Sequence, residues 1–224
     1  VAYITDYTYA SDDSDVSSHT GALPNYDVGD LLVWCVNKDT TTGSHLSTPS
    51  GWTSAYADQL KNEMGIFWKF AQSGETAPTT DSSDTDAYQS SMYCIKGADS
   101  NTPLSSVNGV INGDTTTYTT YNYYTPSNTA IGNIHFCYAS PSGVGGASIE
   151  NYGKRYINEE SISVAQVVHA KSLLDSNTPS VIGMSQDTSC GLLQFEVNDD
   201  GNNITEPVCD NDLDIIELAT DGMV

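Results

Sequence analysis

The sequence predicts an all-β fold, an antiparallel β-sandwich of jelly-roll-like kind, and three observations carry that expectation. Turn-forming Thr, Ser, Asn, Asp and Gly recur in short clusters between segments rich in β-branched residues and in the chain's 14 tyrosines. No segment sustains a 3.6-residue apolar period beyond a single turn, so no helix would have a continuous face to bury. Leu31–Val36 (LLVWCV) is apolar on both faces of a strand, which suits the middle of a packed sheet. Many short strands separated by loops build sandwiches or barrels.

Taken in order, Tyr3–Ala10 interleaves Tyr and Ile with Thr and reads as the first strand. Asp30–Asn37 contains the doubly apolar segment, and the turn residues Pro49-Ser50-Gly51 deliver Trp52–Ala57. Ala57–Glu63 fits either a short helix or an acidic loop, and Gly65–Ala71 (GIFWKFA) is a second strongly apolar strand. Further strands are expected at Ala87–Lys96, Thr115–Tyr124 and Ile131–Ala139. Ser161–Ala170 follows, where Ile162 and Val164 alternate with Ser163 and Ala165; Cys190–Val197 and Leu213–Ala219 complete the set. Leu31, Val33, Trp34, Trp52 and Trp68 are the expected structural core.

A faint internal echo relates GDLLVWCV (Gly29–Val36) to IGNIHFCY (Ile131–Tyr138), matching Trp34-Cys35 with Phe136-Cys137. Its period of roughly 100 residues is too long for a solenoid unit. It fits one domain of two loosely similar halves, about 1–104 and 105–224, joined at Gly97–Leu104.

With 29 acidic and 7 basic side chains the net charge is −22. Nucleic acid and anionic membrane surfaces both need clustered Lys and Arg, so neither is an expected partner. Solubility through like-charge repulsion, adaptation to salty water and Ca²⁺ binding are the three readings of this acidity. No apolar run is long enough to cross a membrane as a helix, and no secretory leader pattern opens the sequence.

Residues able to carry chemistry are scattered. Cys35, Cys94, Cys137, Cys190 and Cys209 lack CxxC spacing, and the first three sit in apolar strands as small core residues. Cys190 with Cys209 is the one pairing worth testing, since both adjoin turn-like sequence. His19 and His45 fall in polar segments read as loops, and His135 and His169 on strands, with no HxH or HExxH spacing. GxSxG is absent, and the many Ser and Asp residues make any triad drawn from sequence arbitrary.

Four acidic segments alternate oxygen ligands with small residues: Asp12–Asp15, Asp81–Asp86, Asp199–Asn203 and Asp210–Asp214. Read as loops, they are candidate Ca²⁺ sites, with Asp199, Asp200, Asp210 and Asp212 the preferred ligands. Tyr118, Tyr121, Tyr123 and Tyr124 form the densest aromatic cluster, suited to cross-strand packing, a protein interface or glycan stacking.

Four blocks occur in a specific order: GDLLV (Gly29–Val33), TPSGWT (Thr48–Thr53), FWKFAQSGET (Phe67–Thr76) and YCIKGADSNTPL (Tyr93–Leu104). This series resembles a recurrent β-sandwich module of tailed-bacteriophage virion proteins. The second half departs from the pattern, lacking a P-x-G-[WY] block and carrying SPSGVGGAS (Ser140–Ser148) instead. The resemblance implies a non-enzymatic structural protein on the virion surface, either a capsid decoration or a tail-associated component. It would bind neighbouring virion proteins and associate as a homo-oligomer. A carbohydrate-binding tail adhesin that recognises the host surface is the alternative, and an accessory domain of a secreted enzyme is a third reading.

Overall fold

The computed structural model describes residues 2–38, 46–57, 63–112, 134–141, 147–150, 156–160, 166–173, 181–184 and 190–201, with backbone alone described from 108 to 194. Every regular element among them is a strand: β1 (Tyr3–Thr20), β2 (Leu31–Lys38), β3 (Thr53–Ala57), β4 (Glu63–Phe70), β5 (Thr79–Lys96) and β6 (Leu104–Asn112). The second half adds β7 (Ile134–Pro141), β8 (Ala147–Glu150), β9 (Tyr156–Glu160), β10 (Gln166–Leu173), β11 (Val181–Met184) and β12 (Cys190–Val197). All pairings are antiparallel. The protein is an all-β, sandwich-like fold.

Each half of the chain forms its own five-stranded sheet. Sheet I has the order β1-β5-β2-β4-β3 and sheet II the order β6-β12-β7-β10-β9, with β8 and β11 paired separately. Setting β8 and β11 aside, both sheets run first, last, second, fourth, third. The echo between β2 and β7 is therefore matched by a shared topology. With Cys35 aligned to Cys137, the registers correspond: Tyr93 lies between Tyr7 and Val33, as Glu196 lies between Ser105 and His135.

β2 has neighbours on both sides and every one of its residues is buried, as its two apolar faces require. Leu31, Val33 and Cys35 join Met64, Ile66, Tyr93 and Ile95 in the layer between the sheets, where Phe195 and Val197 of β12 meet them. Trp68 packs at the margin of this layer. Leu32, Trp34 and Val36 point the other way, into a second cluster with Phe67, Met92 and Cys94. That outer face is covered by chain outside the strands, including Leu46, Trp52, Leu23 and Tyr26. Under the alignment, Phe195 and Val197 correspond to Met92 and Cys94, which face away from sheet II. The sheets thus stack head to tail, with unlike faces in contact.

Several elements differ from the sequence reading. The segments Asp12–Asp15 and Asp81–Asp86 are not loops: they lie in the far ends of β1 and β5, each 18 residues long. Ladder pairing carries these polar stretches into the sheet, with Val16 opposite Asp86 and Ser18 opposite Asp81. β6, β8, β9 and β11 arise where no strand was expected, and of the expected strand Ser161–Ala170 only residues 166–170 are described, within β10. The expected strands Thr115–Tyr124 and Leu213–Ala219 lie outside the described residues, as does most of Ala57–Glu63.

Candidate functional site

Two sets of residues stand out: the turns built by the four sequence blocks, and a buried relay of Asp12, His19 and Ser90. Each block contributes a left-handed glycine, Gly29 (φ +94°), Gly51 (+77°), Gly74 (+75°) and Gly97 (+73°), so each reverses the chain where a side chain would be strained.

The polar residues around those glycines are spent on backbone groups. In the first block Asp30, nearly buried, accepts from the Asp27 amide at 2.9 Å and from the Cys94 thiol at 3.3 Å. In the second, the Trp52 amide donates to the Pro49 carbonyl at 3.0 Å, and the indole packs on Trp34 with ring centres 6.3 Å apart. Glu75 of the third accepts from Lys69 Nζ at 2.7 Å and from the Gln72 amide at 2.6 Å, while its own amide donates to Tyr26 Oη at 2.9 Å. In the fourth, Asp99 Oδ1 accepts from the amides of Asn101 (2.7 Å) and Thr102 (2.9 Å), and these bonds hold its carboxyl below the usual range. The same turn is stitched to the end of β12 through Asp99 N to Asn198 O and Asp200 N to Gly97 O, both 2.9 Å.

His19 was expected in a loop; it is the penultimate residue of β1 and only 1 % exposed. Its Nδ1 lies 2.6 Å from Asp12 Oδ2 and its Nε2 lies 2.7 Å from Ser90 Oγ. The ring is stacked near Tyr88 (5.3 Å, 8°) and Trp34 (6.0 Å, 20°). Burial pushes its pKa below the ordinary value, against the opposing pull of the Asp12 hydrogen bond and charge. An ionised carboxylate only accepts, so Nδ1–H donates to Asp12 and the neutral Nε2 accepts the Ser90 hydroxyl proton.

The connectivity is that of a Ser–His–Asp triad, yet the exposure runs the wrong way for acyl transfer. A nucleophilic serine must meet substrate and an oxyanion hole. Ser90 is 1 % exposed, within a central stretch of β5, whereas the Asp12 side chain is 40 % exposed. As arranged, the relay is a polar clamp joining β1 to β5 beneath an aromatic cover. No spacing rule could have found it. Residues seven apart on a regular strand occupy opposite faces, and only the register shifts on either side of Val16 bring Asp12 and His19 together.

Of the preferred calcium ligands, Asp199 and Asp200 flank the turn against Gly97–Asp99, and Asp199 Oδ1 accepts from the Gly201 amide at 3.2 Å. Asp210 and Asp212 lie outside the described residues, as do Tyr118, Tyr121, Tyr123, Tyr124, His45 and Cys209. Among the described side chains, no three His, Cys, Asp or Glu residues are grouped to hold a metal ion. Cys35 and Cys94 are free, buried thiols; burial raises both pKa values, that of Cys94 to about 12. Among the described residues no helix is long and apolar enough to cross a membrane.

Comparison of the chain with protein-family models, with curated proteins and with solved structures gave no match.

Proposed function

We propose that this chain is a non-enzymatic structural protein of a bacteriophage virion, an outer capsid decoration protein that binds neighbouring virion proteins. One observation carries the reading: all four blocks of the phage-module resemblance occupy architectural positions. Their glycines turn the chain, their acids cap backbone amides, and their aromatics pack on both faces of sheet I, Trp52 and Phe67 outside and Trp68, Phe70 and Tyr93 towards sheet II. A module kept for its shape serves by presenting a surface, and the excess negative charge limits adhesion between particles that carry many copies.

Imaging of intact particles at subnanometre resolution tests the proposal. Density for this chain on the outer capsid shell, with binding to purified shells lacking it, is the expected result. Density confined to the tail tip, together with recognition of host glycans on an array, would replace decoration by the adhesin reading.

A further inference from the structure

We draw no further inference here: the strongest candidate, the far ends of β1 and β5 as a catch that acid opens at the buried His19, rests on the lowered pKa of that one ring, since Lys38 to Ser82 and Ser47 to Thr80 and Asp81 hold the same stretch of β5 independently of it.

Discussion

His19 shows what a single buried polar residue does in this fold. Its two ring nitrogens tie Asp12 of one strand to Ser90 of the next, and its flat faces complete an aromatic stack with Tyr88 and Trp34. Since burial lowers its pKa, the folded state favours the neutral ring. The associated stability is full above pH 6.5, the unfolded value, and is lost as pH falls through 6.5 toward the lowered folded value. His19→Phe keeps the stack and removes the titration, leaving the Ser90 hydroxyl without its acceptor. We expect it to cost about 1–3 kcal/mol at pH 7.5. Urea midpoints at pH 7.5, 6.5 and 5.5 should then fall less steeply for the variant than for the unaltered chain. Parallel pH profiles would show that His19 does not titrate in that window.

At the scale of elements, close approach replaces hydrogen bonding as the constraint. Where the chain leaves β1, a Cβ built on Gly21 would stand 2.8 Å from Cε2 and Nε1 of the Trp34 indole. That indole is fully buried against Trp52 and Phe67 and has little room to retreat. Gly21→Ala is therefore expected to destabilise by about 1–3 kcal/mol through overpacking. A thermal unfolding scan checks this; an unchanged melting temperature would mean that the β1–β2 connection shifts freely.

Legibility from sequence also divides by element. β2 and β4 are evident from short continuous apolar runs (LLVWCV and GIFW), too short for a buried helix, and β12 (CGLLQFEV) from Leu193, Phe195 and Val197 alternating with Gln194 and Glu196. The distal halves of β1 and β5 were hidden, since Asp- and Ser-rich segments look like loops and become strands here only through pairing with each other. β6 (LSSVNGVIN) offers small and polar residues without clean alternation, and its identity comes from its pairing with β12. The His19 relay was illegible for the same reason: register shifts fix it, and sequence spacing does not encode them.

For the whole molecule the dominant long-range quantity is the net charge of −22. Few described cations offset it locally: Lys96 pairs with exposed Asp27 at 2.6 Å, and Lys69 is committed to Glu75. Raising monovalent salt from 0.01 M to 1 M shortens the screening length from about 30 Å to about 3 Å. The melting temperature should rise across that range, by about 2–4 °C for each kcal/mol of repulsion relieved. A flat or falling curve would show that self-repulsion does not limit stability.

The head-to-tail contact between the sheets has one more consequence. Two similar layers related by a rotation bury matching faces and close the pair. Layers stacked with unlike faces in contact instead leave one face of each kind outermost, so face matching alone does not close the stack. Extension is blocked on the sheet I side, where Leu23, Tyr26, Leu46 and Trp52 lie across the outer face. They do for this protein what a capping repeat does for a solenoid, giving an open-ended geometry a defined first layer.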